Sequence, residues 1–309
     1  SSGNLSASLG FSQGSGFTLG LSVSENNFFG SGKRVSFGVN TNDAVKSANF
    51  SYLNPYYTVD GVSRGFSVFA RKTDFDETGS SDYSLDASGA SVTFGYPINN
   101  ISRLTFGFGY TNSKVSLGVS QPLEIKNFFE ENGTEFDTFP TSITWSRSTL
   151  NRGSFPTKGW RQNLTLEVTA PFSDLSFYKT SYRSNTYFPL DSEHKFVLRV
   201  RNELAWGHSY GDTSELPFYE HYFSGGIGSV RGFESNSLGL KSSPNEGDEF
   251  ADTTDPFGGD LLIENSAELI FPIPFIKDQR SMRLAYFIDS GNVFDTKRNY
   301  DFDAQEIRV

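Results

Sequence analysis

The sequence predicts an all-β protein whose antiparallel strands form a transmembrane β-barrel. Apolar residues alternate with small or polar ones along segments of about ten residues, longer than the usual five to six in globular sheets. Mean hydropathy is only −0.40, yet 31 of the 309 residues are Phe. No apolar stretch approaches the ~20 residues that a transmembrane helix needs. A barrel reconciles these facts, because only one face of each strand then meets lipid.

Composition excludes several other classes of protein. The net charge of −10 makes nucleic acid a poor partner, since phosphate binding favours an excess of Lys and Arg. The absence of cysteine excludes disulfides, thiolate catalysis and Cys-ligated metals. An aromatic content of 16% argues against disorder. Because the chain begins at Ser1 without Met or a signal peptide, we expect a mature fragment.

Alternation is clearest in the segments 17–23, 90–96, 104–110 and 164–170. The strands of a soluble β-sandwich also alternate apolar and polar residues, so the composition of the polar faces has to distinguish a sandwich from a membrane barrel. They carry Gly, Ser and Thr with interspersed charges, as at 199–203, and this pattern is typical of strands with apolar residues outside and polar residues inside. We therefore expect lipid on one side of the sheet and water on the other.

The length of the chain predicts on the order of thirteen to fifteen strands at ~20–25 residues for each strand with its connection. The thirteen predicted strands are 4–11, 17–26, 33–40, 46–54, 62–74, 85–97, 102–116, 138–149, 160–171, 177–189, 195–207, 260–271 and 281–294, and a fourteenth begins at Gln305.

The connections are of two kinds, which predict the orientation in the membrane. One set is short and marked by Pro or Gly, whereas the other includes the long polar segments 74–85, 116–138 and 208–259. Short turns are typical of the periplasmic side and long loops of the extracellular side. A helix is predicted inside the second long segment, over 124–131, as a surface cap. We assign 1–309 to one barrel domain, with 208–259 as a long extracellular loop that enters the lumen.

Aromatic residues crowd the strand ends, and we expect them to form girdles at the membrane interface. The alternative is a plain hydrophobic cluster at each turn. The residues concerned are Phe28, Phe29, Tyr56, Tyr57, Phe188 and Phe271.

The end of the chain predicts an incomplete barrel. Bacterial single-chain barrels usually have an even number of strands, and a bilayer does not tolerate an open sheet edge. The sequence stops inside an apparent strand, at 307–309, without an aromatic C-terminal residue. We therefore expect further strands beyond Val309.

The centre of the long loop is rich in glycine and contains one arginine, at 225–233. Glycines permit backbone conformations with positive φ, and the arginine can form a bidentate pair with a carboxylate. Candidate partners on later polar faces are Glu264, Glu268 and Asp289. An exposed turn with a solvated arginine is the alternative, and spacing alone favours it slightly.

Five ordered motifs make the sequence resemble the family of outer-membrane protein assembly factors. They are 54–61 (NPYYTVDG), 152–159 (RGSFPTKG), 216–220 (LPFYE), the loop motif Val230, Arg231, Gly232 and Phe233, and 289–295 (DSGNVFD). The resemblance covers nearly the whole chain. It implies a sixteen-stranded barrel, of which about thirteen to fourteen strands are present, and a loop arginine paired in the lumen with Glu268 and Asp289. The chain departs from the family in lacking the periplasmic POTRA domains, the final strands and the loop cysteine pair that some members carry.

The resemblance implies an insertase of the bacterial outer membrane, with no cofactor and no metal. The implied partners are outer-membrane protein clients, accessory lipoproteins that bind through POTRA domains, and lipid with lipopolysaccharide. Strand edges suggest the mechanism: a weak seam opens beside the first strand, and a client strand pairs with the exposed edge. Small side chains fit a weak seam, and the predicted gate strand comprises Asn4, Leu5, Ser6, Ala7, Ser8, Leu9, Gly10 and Phe11.

Other functions have weaker support. The segment 207–211 (GHSYG) matches a nucleophile-elbow pattern but is not followed by the helix that this motif requires, so we do not expect an enzyme. Acidic residues across 246–255 could bind Ca²⁺ or Mg²⁺ but lack EF-hand order, and a solvated loop is the better interpretation. The three histidines lack metal-ligand spacing: His194, His208 and His221. A polypeptide-secretion pore or porin-like channel is the main alternative, and a soluble β-rich adhesin is the third.

Overall fold

A computed structural model describes residues 3–12, 16–75, 83–118, 122–243, 256–273, 282–298 and 307–309. Within these ranges, fourteen strands join one antiparallel sheet and a further pair forms a small hairpin. The predicted all-β antiparallel fold is confirmed. In the same ranges no helix is both long enough and apolar enough to cross a membrane.

The strands of the large sheet are β1 Gly3–Ser12, β2 Gly16–Glu25, β3 Arg34–Thr41, β4 Val45–Asn54, β5 Ser63–Asp74, β6 Tyr83–Asn99, β7 Ser102–Leu117, β8 Glu135–Thr138, β9 Pro140–Ser148, β10 Gly159–Thr169, β11 Phe177–Pro189, β12 Val197–Ser209, β15 Leu261–Phe271 and β16 Leu284–Phe294. The hairpin is β13 Leu240–Lys241 with β14 Pro256–Gly258. One α-helix, α1 Leu123–Asn132, and the 3-10 turns Phe28–Gly30 and Phe218–Glu220 complete the described elements.

Strands that follow each other along the chain pair in the sheet, and the long loop between β12 and β15 carries the hairpin. The predicted strands match the observed ones to within a few residues, and the strand predicted over 138–149 corresponds to β9. The short strand β8 was not predicted, and the chain leaves the ladder between β8 and β9. There the amide of Phe139 donates to Ser173 Oγ (3.0 Å), and Pro140 has no N–H to offer. The strand predicted from Gln305 begins outside the described residues.

The two faces of the sheet differ as predicted. The outer face exposes large apolar side chains, including Leu5 (75% exposed), Leu166 (44%) and Leu204 (45%). The inner face, part of which the long loop covers, carries small hydroxyl side chains that bond across strands, as Ser67 does with Ser91 at 2.7 Å. Apolar side chains therefore turn away from the polar interior instead of packing against each other between layers.

One row on the outer face departs from this apolar pattern. Gln162, Ser184, Asn202, Asn265 and Ser290 lie opposite each other across five neighbouring strands. Ser184 Oγ donates to Asn202 Oδ1 (3.2 Å), and Asn202 Nδ2 donates to Asn265 Oδ1 (2.7 Å). Gln162 Nε2 donates to the hydroxyl of Tyr182 (3.0 Å), so these polar side chains find partners within the wall, as a surface facing lipid requires.

The two ends of the strands use their aromatic residues differently. At the short-turn end, aromatic side chains are exposed, as Phe29 (93%), Tyr56 (79%) and Phe188 (49%) show. At the long-loop end, α1 buries Ile125 and Phe128 in an aromatic cluster. The predicted helix is confirmed, and its apolar face closes this cluster over one end of the sheet.

Candidate functional site

The described part of the long loop lies against the inner face of β12, β15 and β16. Antiparallel bridges between Tyr222 and Gly259 and between Ser224 and Leu238 close its base. Its tip buries Val230, which is 1% exposed. A Cβ added at Gly291 on β16 would lie 2.9 Å from Val230 Cγ2, so the absence of a side chain there allows the loop to dock.

The guanidinium of Arg231 forms a bidentate ion pair with Asp289 on β16. Nε donates to Oδ2 (2.6 Å) and Nη2 donates to Oδ1 (2.7 Å), while the backbone amide of Arg231 also donates to Oδ2 (3.1 Å). The Asp289 side chain is only 1% exposed. Its negative charge is therefore compensated almost entirely by the loop.

A second carboxylate and an aromatic ring complete the surroundings of Arg231. Its Nη2 lies 2.8 Å from Glu268 Oε1 on β15, and the other oxygen of Glu268 accepts from Arg199 Nη1 on β12 (2.9 Å). The guanidinium also stacks 3.6 Å from the centre of the Phe287 ring. Hydrogen bonding to Asp289 is the main reason why the pKa of Arg231 is raised above its ordinary value. The arginine is thus held permanently charged between two strands.

Glu264 was a candidate partner for Arg231, but the structure gives it other contacts. Ser224 Oγ donates to Glu264 Oε1 (2.7 Å), and the hydroxyl of Ser229 donates to the same oxygen. Sequence reasoning missed these two serines, because their position depends on the path of the loop and no spacing rule specifies it. It also placed Arg201 on the polar face without giving it a role. Arg201 donates to the loop carbonyls of Gly228 and Ser229, both at 2.8 Å.

The glycines of the tip allow its sharp turns. Gly232, directly after the anchoring arginine, has φ +96°. Gly225 has φ +106°, and a Cβ there would lie 2.5 Å from the carbonyl oxygen of Glu234. Both positions therefore require glycine. The remaining residue of the motif, Phe233, is half-buried.

The outer part of the loop is fixed by a second set of contacts. Lys179 Nζ on β11 lies 2.8 Å from Glu220 Oε2, and it sits 5.0 Å from the centre of the Tyr222 ring. The next residue along, His221, has its Nδ1 3.1 Å from the carbonyl oxygen of Phe257. Burial lowers the pKa of His221 to about 4, so the imidazole is neutral at pH 7.

The predicted gate strand is exposed at every residue from Gly3 to Phe11. β1 pairs with β2 from Gly3 to Ser12, and within the described residues it has no partner on its other edge. Leu5, Leu9 and Phe11 are 70–75% exposed. On the inner face, β1 contributes Ser6 and Ser8, which offer little side chain for packing. Its role as a gate stays a prediction.

The predicted alternatives of catalysis and metal binding gain no structural support. Ser209, the middle residue of the elbow pattern, is the last residue of β12, and a turn at Gly211 follows instead of an α-helix. Across the part of the chain that the structure describes, no group of three His, Asp or Glu side chains could hold a metal ion. The acidic stretch 246–255 lies outside that part.

The sequence of residues 27–309 matches the pattern of the Omp85 superfamily domain. The chain belongs to the Omp85 superfamily. Within it, the outer membrane protein assembly factor BamA of Neisseria meningitidis is 31% identical over 97% of this chain. BamA of Nitratidesulfovibrio vulgaris is 25% identical over 97%. The chain spans only 38% and 36% of the lengths of these two relatives.

Solved structures are similar to this fold as well. BamA from Haemophilus ducreyi lacking POTRA domains 1–3 superimposes with a TM-score of 0.88 at 32% identity, covering 96% of this chain and 58% of that one. CdiB from Acinetobacter baumannii superimposes with a TM-score of 0.57 at 14% identity, covering 97% of this chain and 51% of that one, and this likeness concerns the fold alone. The inner face described above is therefore the lumen wall of an Omp85 barrel.

Proposed function

We propose that this chain is the barrel of an outer-membrane protein insertase, which folds and inserts β-barrel clients into the bacterial outer membrane. The similarity to two assembly factors along almost the whole chain carries the proposal. The fold agrees, with a TM-score of 0.88 to a BamA barrel. The secretion-pore alternative rests on fold likeness to CdiB at 14% identity, which does not discriminate function.

The proposed mechanism uses the exposed edge of β1. Unpaired N–H and C=O groups of an edge strand form a template for another strand, and a client can add to it by β-augmentation. The β1–β2 pair contributes mostly small inner-face side chains, so little packing resists opening at this side. The part of the wall formed by β12, β15 and β16 is fastened to the long loop by Arg231. This asymmetry would confine opening to the β1 seam.

The partners follow from the proposed activity. They are unfolded outer-membrane clients, accessory lipoproteins recruited through POTRA domains, and the lipid and lipopolysaccharide around the barrel. We propose no enzymatic step and no cofactor, since inserting a strand exchanges hydrogen bonds and buries apolar surface without covalent chemistry.

Reconstitution tests the proposal directly. The complete protein in liposomes should accelerate the folding of an unfolded client barrel, measured as protease-resistant client over time. Arg231→Ala and Asp289→Ala should slow this folding without abolishing expression, because the loop loses its anchor. Arg161→Ala is the matched control: this lumen arginine makes no ion pair within the described residues. A large steady conductance without any acceleration of client folding would favour the channel alternative and overturn the insertase.

A further inference from the structure

Two arginines occupy the outer face at the short-turn end of the barrel. Arg64 is the second residue of β5, and Arg147 is the last residue but one of β9. Each lies two residues from an aromatic side chain on the same face of its strand: Arg64 from Phe66, which is 43% exposed, and Arg147 from Trp145, which is half-buried. Ile143, two residues before Trp145, is 40% exposed. Both arginines are therefore at the edge of the apolar band, where hydrocarbon gives way to headgroups.

Both guanidinium groups stack on aromatic rings. Arg64 Cζ lies 4.0 Å from the ring centre of Tyr57, in the turn before β5, and Arg147 Cζ lies 4.5 Å from that of Trp160, at the start of β10. These rings lie nearer the short-turn end than the middle of the strands. Arg64 Cζ also lies 5.2 Å from the ring centre of Phe66, so this guanidinium lies between a turn residue and the edge of the apolar band.

Neither arginine has an anionic partner in the described chain. The Nε atoms of both are buried and make no hydrogen bond, and no carboxylate of the described residues lies within 4.0 Å of either group. Two arginines of the lumen differ from them: Arg199 and Arg231 each pair with a carboxylate. A charge beside hydrocarbon that the protein does not compensate requires a partner from its surroundings.

We propose that Arg64 and Arg147 each bind the phosphate of a glycerophospholipid in the leaflet at the short-turn end. An aromatic ring lies against each guanidinium, and the two Nη groups, which do not include the buried Nε, can make a forked contact with phosphate oxygens. The exposed side chains of Phe66 and Ile143 lie deeper on the same face, where the acyl chains run. Each site therefore offers a positive charge at the level of the lipid headgroup and an apolar surface at the level of the acyl chains.

Native mass spectrometry of the complete protein measures how many lipid molecules remain bound to it. The probe lipid is dioleoylphosphatidylglycerol. The control lipid is dioleoylglycerol, which lacks the phosphate, and each is present at the same mole fraction in detergent micelles. Wild type should bind two more phosphatidylglycerol molecules than the double variant Arg64→Gln/Arg147→Gln. Each single variant should bind one fewer than wild type. At an altered site we expect about fivefold weaker binding, the effect of one interfacial cation.

Two variants sharpen the interpretation. Arg161→Gln removes the same charge one residue from Trp160, but on the inner face, and should retain lipid as wild type does. Arg147→Lys keeps the charge without the planar fork and should retain less lipid than wild type. Equal retention by wild type and the double variant, equal loss in Arg161→Gln, or equal retention of dioleoylglycerol would each overturn the proposal.

Discussion

Replacing Arg231 by Ala should release the long loop from the barrel wall. In the docked loop, the variant would leave the Asp289 carboxylate, 1% exposed, without its counter-charge. Breaking a buried ion pair by removing one partner costs about 3–5 kcal/mol. Because the Arg231 side chain is 24% exposed and Glu268 keeps Arg199 as a partner, we take the lower end, about 3 kcal/mol of docking free energy. The undocked population should rise roughly a hundredfold.

Limited proteolysis of the protein in detergent measures this change. When opening and closing are fast relative to cleavage, the cleavage rate within 208–259 follows the undocked population. The double variant Arg231→Ala/Asp289→Ala should be cleaved more slowly than the sum of the single effects predicts, because the buried carboxylate is gone. Arg183→Ala is the control, since its pair with Glu203 leaves Arg183 65% exposed and should contribute less than about 1 kcal/mol. A wild-type cleavage rate in Arg231→Ala would refute this account of the anchor.

Two further predictions concern the outer part of the long loop and the helix α1. Folded-state burial lowers the pKa of His221 to about 4, so docking is fully stable above pH 6.5 and weakens as pH falls towards 4. At pH 5 the loss should be about 2 kcal/mol, seen as faster loop cleavage than at pH 7, and His221→Gln should remove this dependence. Phe128→Ala should lower the thermal stability of the cap formed by α1, at a cost of about 3–5 kcal/mol, because Phe128 is 2% exposed among Phe136 and Phe218. An unchanged melting curve for Phe128→Ala would mean that the cap does not unfold with the barrel.

The strands were predictable because period two is a local property of the sequence. Each apolar side chain on β7 or β10 needs only its own strand to point outward, so alternation located both strands to within two residues. The break at Phe139 was not predictable, since it depends on a hydroxyl from Ser173 that folding alone brings near. The polar row through Asn202 was likewise hidden, because its members compensate each other only when five strands are in register.

The site was predictable in part. Motif resemblance indicated Arg231, Glu268 and Asp289, and the structure brings these three into contact. The face pattern alone also allowed Glu264, because it shares the inner face of β15 with Glu268. The path of the loop determines which of the two carboxylates pairs with Arg231. Glu264 instead accepts hydrogen bonds from two serine hydroxyls. Side-chain partners across a long loop are a tertiary property that neither spacing nor period encodes.

The anchor also imposes an order of events on folding of the barrel. Arg231 precedes Asp289 by 58 residues, and the contact needs β15 and β16 to lie side by side. Because Asp289 lies on β16, the loop cannot dock in this way before β15 and β16 have paired. Seating of the loop is then a late step that reports a correctly registered hairpin, because a shift of one residue between these strands would turn Asp289 towards lipid.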